Sequence, residues 1–315
     1  MNRKAIILGI KGLSLTPREK KLFKKEKPWG IILFSRNIKS FNQIKKLALD
    51  IKKTFNDKNY PILIDQEGGK VSRINKILDL SLFSQKMFGD LYKSNRDLFY
   101  TAFSVYVNTV SNILGDIGIN INTVPVLDVL RNNSNPIIGT RSFSQDPIVV
   151  SKLGKLCTEL YMQNKIATVV KHIPGHGLAN RDSHLSTPVI KVKKKELMKK
   201  DFKPFYSSKS LFAMTAHVVY SAYDRYNTAT HSKYIISKVI RNYIKYNGIL
   251  ISDDISMKSL KFSLEENAIR ALKAGCNLLL HCNGKYNEMI RLLKVIPKID
   301  KFTKKKTSHF YKFLM

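Results

Sequence analysis

The segment KHIPGHGLANRDSH, residues 171–184, contains three histidines together with a lysine and an aspartate. Pro174 and the two glycines that flank His176 disfavour a regular helix there, so we expect a long loop of specific shape. Asp182 lies two residues before His184 and can accept a hydrogen bond from its imidazole N–H. Such a contact fixes the tautomer and raises the basicity of the ring, which suits proton transfer near neutral pH.

Zinc binding is the alternative use of this segment. Four of its side chains carry groups that ligate zinc: His172, His176, Asp182 and His184. However, the first apolar run of the chain lacks the His-x-His pair that metal-dependent barrel hydrolases commonly have, and no HExxH motif is present. His172 also has another use, as a hydrogen-bond donor to a substrate. We therefore expect no metal at this segment.

Ionisable residues also end several short apolar runs, of which the chain has eight. The runs are AIILGI (5–10), GIILF (30–34), PILID (61–65), NTVPVLDV (122–129), ATVVKH (167–172), LFAMTAH (211–217), GILISDD (248–254) and NLLLHC (277–282). Such nearly continuous hydrophobicity is typical of parallel strands that are buried on both faces.

Helical patterns separate most of these runs. Examples are SFNQIKKLALDIKKTF (40–55), DPIVVSKLGKLCTELYMQN (146–164) and SLEENAIRALKAG (263–275), the last with an N-terminal Ser and a C-terminal Gly. Eight alternating units in 315 residues predict an α/β fold, a single-domain (β/α)₈ TIM barrel over residues 1–315. We expect its core at about 5–295 and a basic C-terminal tail at about 296–315. An open doubly wound sheet is disfavoured, because no Gly-rich phosphate fingerprint follows the first run.

The polar ends of the runs predict an enzyme. In a barrel, the C-terminal ends of all strands converge on one mouth, where barrel enzymes carry their active sites. The residues that would meet there are Asp65, Asp128, Lys171, His172, His217, Asp253, Asp254 and His281. A purely structural protein has little use for so many ionisable groups at one barrel mouth.

The net charge of +32 suggests a second class of function, nucleic-acid binding on an inactive barrel. That class predicts tight binding that weakens steeply with salt. We disfavour it, because the lysines are scattered and accompany abundant Asn and Ile, as AT-rich coding would produce. No apolar run approaches the roughly 18 residues of a membrane helix, and three cysteines do not make a disulfide framework. We therefore expect a cytoplasmic protein without membrane or nucleic-acid partners, and a monomer.

Seven motifs resemble, in the same order, those of glycoside hydrolase family 3. They are GIILFSRN (30–37), LIDQEGGKVSR (63–73), GTRSFSQDP (139–147), KHIPGHG…DSH (171–184), MTAHVVYS (214–221), GILISDDISM (248–257) and AGCNLLLHCN (274–283). More narrowly, the chain resembles the single-domain bacterial β-N-acetylglucosaminidases of cell-wall recycling. Each motif alone is weak, but the ordered set, which spans roughly residues 5 to 285, is highly specific.

The resemblance implies a retaining mechanism with a covalent glycosyl-enzyme. Asp253, which follows Ser252, matches the nucleophile. His184 matches the general acid/base, with Asp182 as its orienting partner, in place of the second carboxylate of most retaining glycosidases. The positions that match binders of sugar hydroxyls are Asp65, Arg73, Arg141, Lys171 and His172.

The substrate that the resemblance implies is a small carbohydrate, terminal β-linked GlcNAc on GlcNAc-1,6-anhydroMurNAc fragments with or without peptide. Two alternatives stay open on the same fold. One is another β-glycosidase. The other is a phosphorylase, because a histidine acid/base tolerates an incoming phosphate better than a carboxylate does.

Overall fold

The computed structural model describes residues 2–131, 138–179, 186–206 and 208–315. Eight parallel strands close into a barrel in which each strand pairs with the next along the chain and the last returns to the first. These strands are β1 (Lys4–Gly9), β2 (Pro28–Leu33), β3 (Ile62–Ile64), β4 (Ile121–Asn122), β5 (Ala167–Ile173), β7 (Phe212–Thr215), β9 (Ile249–Asp254) and β10 (Leu278–His281). The predicted (β/α)₈ TIM barrel is confirmed, and each strand overlaps one of the eight apolar runs.

The remaining two strands, β6 (Val189–Ile190) and β8 (Val219–Tyr220), form a separate two-stranded parallel sheet. The α-helices of the described chain are α1 (Pro17–Glu26), α2 (Phe41–Thr54), α3 (Gln85–Ser94), α4 (Arg96–Ile117), α5 (Pro147–Gln163), α6 (Lys194–Lys199), α7 (Leu264–Ala274), α8 (Tyr286–Val295) and α9 (Lys301–Leu314). A π-helix, Ile235–Tyr243, supplies the crossover before β9. The three helices expected from the sequence correspond to α2, α5 and α7.

Local sequence explains where these helices begin and end. Ser40 and Ser263 accept hydrogen bonds from backbone N–H groups in the first turns of α2 and α7, which satisfies donors that have no partner within the helix. Gly275 ends α7 at φ +119°, a backbone conformation that favours glycine. These caps fix the helices that return the chain to the start of each strand.

The fourth strand is much shorter than its apolar run. Only Ile121–Asn122 is regular strand, because Pro125 lacks the N–H that a continued ladder requires. An isolated parallel bridge joins Val126 to Lys171 farther along. Asp128 therefore lies on an irregular segment beyond β4 rather than at a strand end.

The expected basic tail is corrected by the structure. Residues 301–314 form the helix α9, which packs across the N-terminal end of the barrel. The Phe310 ring lies 6.2 Å from Trp29 and 5.6 Å from Phe212, measured between ring centroids, and Trp29 Nε1 donates to Thr307 Oγ1 at 3.0 Å. Helical spacing places Thr307 and Phe310 on one inward face while the lysines face solvent.

Candidate active site

Asp65 lies directly after β3, at the C-terminal end of the barrel. Its Oδ1 accepts from Lys171 Nζ at 2.5 Å and from Thr123 Oγ1 at 2.6 Å, and its Oδ2 accepts from Arg73 Nη2 at 2.7 Å. Lys171 comes from β5, on the other side of β4. The structure thus brings Asp65 and Arg73, which share the motif 63–73, together with Lys171 from a distant segment.

Glu67 joins Arg141 to the same cluster. Its carboxylate accepts from Arg141 Nε at 2.7 Å and Nη2 at 2.8 Å, in the two-pronged geometry of a guanidinium–carboxylate pair. The same carboxylate also lies 2.6 Å from Lys171 Nζ. Two carboxylates and three cations therefore form one connected group, the charged cluster: Asp65, Glu67, Arg73, Arg141 and Lys171.

Burial and pairing act in opposite directions on the charges of this cluster. Burial disfavours ionisation of Asp65, but Lys171 and Arg73 outweigh it and hold the pKa of Asp65 well below its usual range. The pKa of Glu67 is also lowered, since Arg141 and Lys171 outweigh burial. Burial opposes the charge on Lys171, yet Asp65 and Glu67 raise its pKa. In Asp65, Glu67 and Lys171, pairing with opposite charges therefore favours the charged form.

Asp128 organises a second group, around the loop that follows β5. Its Oδ2 accepts from His172 Nδ1 at 2.7 Å, and its Oδ1 accepts from the backbone N–H groups of His172 and His176 at 3.2 and 2.6 Å. An ionised carboxylate only accepts, so the His172 proton lies on Nδ1. Burial raises the pKa of Asp128, but His172 and the other contacts outweigh it and bring the value to about 2.

The turn after His172 needs glycine at two positions. A Cβ at Gly175 would lie 2.6 Å from the carbonyl oxygen of Asp201, and φ there is +140°. A Cβ at Gly177 would overlap the carbonyl oxygen of Val129. The loop therefore packs closely against its neighbours up to Ala179, which is buried.

Replacing Asp128 with Asn is expected to destabilise the protein at pH 7 by about 2 kcal/mol, since a buried charged acceptor of three N–H groups is lost. Because its folded pKa of about 2 lies below the unfolded value of about 4, this carboxylate stabilises above about pH 4. The contribution is lost as the pH falls towards 2. The difference between variant and wild type should therefore shrink in acid.

Urea unfolding at pH 7 and at pH 3 measures this difference. Asp90→Asn is the control, because Asp90 forms an exposed pair with Lys86 on α3 and such pairs contribute little. An Asp128→Asn protein with wild-type free energy of unfolding at pH 7 contradicts the assignment.

Asp253 and Asp254 are the last two residues of β9. The Asp254 Oδ1 accepts from the backbone N–H of Ser256 at 3.0 Å and from its hydroxyl at 2.9 Å, which fixes the turn after the strand. Asp253 acts electrostatically on His176 and His217, in each case raising the histidine pKa against the larger effect of burial. The two neighbouring carboxylates thus have different surroundings, and Asp253 is the one that acts on the histidine of the β5 loop.

His217 supports the end of β9. Its Nε2 lies 3.1 Å from the backbone carbonyl oxygen of Asp254 and its Nδ1 lies 2.7 Å from Thr230 Oγ1. A carbonyl only accepts, so Nε2 carries the proton and Nδ1 accepts from the hydroxyl. Burial lowers the pKa of His217. His217 is therefore a neutral residue that supports the backbone at the end of β9.

Arg73 and His281 have different surroundings. The Arg73 guanidinium carbon is 5.4 Å from the centre of the Phe34 ring at the end of β2, a cation–π arrangement. His281, at the end of β10, is fully buried, with Nε2 3.3 Å from Glu288 Oε2. Arg73 is therefore held by Asp65 and an aromatic face, whereas His281 is enclosed.

Asp182 and His184, the expected acid/base pair, lie outside the described residues. The other six expected site residues are described. Within the charged cluster are Asp65, Arg73, Arg141 and Lys171; His172 is held by Asp128, and Asp253 ends β9. Among residues 2–131, 138–179, 186–206 and 208–315, no three His, Cys, Asp or Glu side chains are arranged as metal ligands.

Two residues that organise the site, Glu67 and Gln66, were not singled out from the sequence as part of it. Glu67 bridges Arg141 and Lys171. Gln66 is fully buried, and its Oε1 accepts from the backbone N–H groups of Arg73 and Ile74 at 2.7 and 3.2 Å. The sequence did carry a signal for Gln66 and Glu67. They are polar residues directly after Asp65, in a Gly-rich turn that offers few other partners for buried polar groups.

No helix in the described part of the chain is long and apolar enough to cross a membrane.

Known proteins resemble this chain over nearly its whole length. A profile of the glycosyl hydrolase family 3 N-terminal domain matches residues 7–308. A beta-hexosaminidase of Idiomarina loihiensis is 32% identical over 285 residues, which cover 89% of this chain and 84% of that protein.

Solved structures give the same result. NagZ from Neisseria gonorrhoeae in complex with N-trifluoroacetyl-D-glucosamine superposes with a TM-score of 0.88 at 27% identity, covering 98% of this chain and 90% of that one. A family 3 beta-N-acetylglucosaminidase from a Paenibacillus species superposes with a TM-score of 0.87 at 25% identity, and 60% of its length is covered. The chain thus spans less than two thirds of the Paenibacillus enzyme.

Proposed function

The chain belongs to glycosyl hydrolase family 3, and we propose that it is a retaining exo-β-N-acetylglucosaminidase that removes terminal β-linked GlcNAc. The observation that carries the proposal is that the charged cluster and Asp253 both lie at the C-terminal end of the barrel, in a chain that matches the family over residues 7–308. The names of the relatives support the choice of N-acetylhexosamine as the sugar.

In the proposed first step, a carboxylate oxygen of Asp253 attacks the anomeric carbon while the bond from that carbon to the aglycone oxygen breaks. Protonated His184 gives its proton to the departing oxygen. In the second step, neutral His184 takes a proton from water as the water oxygen attacks the anomeric carbon. The bond to Asp253 breaks, and both groups return to their starting states. Asp182 orients His184.

The non-reacting hydroxyls of the sugar are assigned to the charged cluster and to His172. Ionised donors and acceptors held in fixed positions make short, directional hydrogen bonds to hydroxyls. Lys171 and Asp65 supply one such donor–acceptor pair, and Arg73 and Arg141 supply further donors. The cations are matched by buried carboxylates, so their positions are set before substrate arrives.

The proposed natural substrates are GlcNAc-1,6-anhydroMurNAc fragments in peptidoglycan recycling, with the protein acting in the cytoplasm as a monomer. No metal or organic cofactor enters the proposed steps, because side chains supply both the nucleophile and the proton carrier. Neither a membrane nor a nucleic acid is a proposed partner.

The first test is release of 4-nitrophenol from 4-nitrophenyl β-N-acetylglucosaminide. We expect turnover that is unchanged by EDTA, since the proposed mechanism uses no metal. Equal release with and without phosphate, with free GlcNAc as the product in both, supports a hydrolase. A sugar 1-phosphate product would instead identify a phosphorylase, and turnover only with another β-glycoside would overturn the assignment of the sugar.

Replacing His184 with Ala is expected to have effects that depend on the leaving group. The value of kcat/KM reports the first step alone, and a nitrophenolate leaves without a proton, so the loss of kcat/KM should be modest on the nitrophenyl substrate. It should be about 10²-fold or more on a disaccharide, whose leaving oxygen needs the proton. Measuring kcat/KM of wild type and variant on both substrates gives the two losses to be compared. Equal losses on both would contradict His184 as the general acid.

A further inference from the structure

We infer that Glu67 is a positioning residue that holds Arg141 and Lys171 for the hydroxyls of the sugar. The inference rests on the proposed function, because it takes those two cations as substrate contacts. Glu67 itself is not among the expected substrate binders. Its carboxylate is only 1% exposed, whereas the Arg141 side chain is 15% exposed.

The positions of Arg141 and Lys171 both depend on the Glu67 carboxylate. Arg141 lies at the end of a short 3₁₀ helix, Gly139–Arg141, rather than on a barrel strand. Its Nε and Nη2 both donate to Glu67, so the carboxylate fixes the plane of the guanidinium group. A guanidinium carried by a loop and held along one edge presents its other edge in a defined direction.

Glu67 also separates two like charges. The pKa of Lys171 is lowered first by burial and also by Arg141, and Asp65 and Glu67 together overcome both effects. Burial likewise opposes the charge of Arg141, and Glu67 is the largest of the effects that raise its pKa. Without the Glu67 charge, the Lys171 and Arg141 cations repel each other with one carboxylate fewer between them.

The backbone around Glu67 keeps the carboxylate in place. Its N–H donates to the Val71 carbonyl at 2.9 Å and its own carbonyl accepts from the Tyr106 hydroxyl at 3.3 Å. A Cβ at Gly68 would overlap the carbonyl oxygen of Phe83, so the turn admits no side chain there. The turn after Asp65 is thus built to place one carboxylate between the two cations.

The inference predicts opposite effects of Glu67→Gln on neutral and anionic ligands. Loss of the negative charge should raise KM for the nitrophenyl substrate and Ki for free GlcNAc about 10-fold or more, with a smaller change in kcat. The same loss increases the positive charge of the mouth, so inhibition by inorganic sulfate should become several-fold stronger. A purely structural role would not move the two inhibitors in opposite directions.

Glu67→Asp keeps the charge and shortens the side chain by one methylene. We expect its Ki for GlcNAc to rise while its sensitivity to sulfate stays at the wild-type level. Glu266→Gln removes a carboxylate from another arginine pair, the exposed pair with Arg270 on α7, and should leave KM, kcat and both Ki values unchanged. Thermal unfolding of each variant shows whether it is folded.

The outcomes separate the inference from the function on which it rests. A wild-type protein that releases no nitrophenol contradicts the proposed function. An active wild type with unchanged Ki values in Glu67→Gln overturns the inference. If Glu67→Gln does not fold, Glu67→Asp decides, because a wild-type Ki for GlcNAc in that variant overturns the inference as well.

Discussion

Asp253→Ala is expected to lower kcat for the nitrophenyl substrate on the order of 10⁴-fold or more, with the protein still folded. The proposed nucleophile forms the bond that replaces the departing aglycone, and an alanine methyl group cannot do so. Losses of this size are typical when a nucleophile is removed. The side chain lies at the end of β9 and is partly exposed, so its removal leaves no large cavity.

Azide provides a positive readout for the same variant. It is small enough to enter the space that the carboxylate leaves and attacks the anomeric carbon from the same side. We therefore expect azide to restore nitrophenol release and to yield the α-glycosyl azide, the product of a single inversion. Recovery of the β-azide, or no recovery, contradicts Asp253 as the nucleophile.

Asp254→Asn is the matched control for Asp253→Ala. Asp254 accepts hydrogen bonds from Ser256 and from the backbone N–H of Cys282, and an Asn side-chain oxygen can keep part of these. We expect at most about a 10-fold loss of kcat. If Asp254→Asn loses as much activity as Asp253→Ala, the choice between the two adjacent carboxylates is wrong.

Lys171→Met is expected to reduce both stability and activity. The Lys171 side chain is 3% exposed and lies between Asp65 and Glu67. Removing one partner from a buried ionic group typically costs about 3–5 kcal/mol, because the remaining charges stay buried. Loss of the proposed charge-assisted hydrogen bond to the sugar should also lower kcat/KM by about 10²-fold.

The stability loss in Lys171→Met should depend on pH. In the wild type, Asp65 and Glu67 have lowered pKa values, so their ionic contribution is present above about pH 4 and is lost in acid. In the variant, the Lys171 charge no longer opposes the effect of burial, so the pKa values of Asp65 and Glu67 rise. The variant is therefore penalised most at neutral pH and is relieved as the carboxylates take up protons.

Unfolding free energies at pH 7 and pH 4.5 measure this dependence, with kcat/KM at pH 7 as the second readout. Lys155→Met is the control, because Lys155 forms only an exposed pair with Glu159 on α5 and should change stability by less than about 0.5 kcal/mol. A Lys171→Met protein whose deficit grows in acid would show that the carboxylates are not held by Lys171.

The positions of the barrel strands along the chain were predictable from the local sequence pattern. Strands buried on both faces must be apolar throughout, so the sequence marks all eight of them, and the helices between them carry their own caps at Ser40 and Ser263. The C-terminal helix was not predictable as a packed element, because its segment 301–309 is mostly lysine and polar residues, with Phe302 as its one large apolar side chain. Phe310 packs against Trp29 and Phe212, which only the folded barrel brings together at its N-terminal end.

The identities of most proposed site residues also came from the sequence, because each follows an apolar run or lies in a family motif. Asp65, Lys171 and Asp253 are found in this way without knowledge of any distance. Their convergence follows from the parallel barrel itself, since the C-terminal ends of its strands share one mouth.

The sequence by itself determined the fold class, the family resemblance and the residue types of the site. Only the tertiary structure decided which charges are partners. Glu67, Arg141 and Lys171 are separated by 74 residues on one side and 30 on the other along the chain. No local pattern relates them, because the energy of a buried charge depends on which opposite charge the folded chain places beside it.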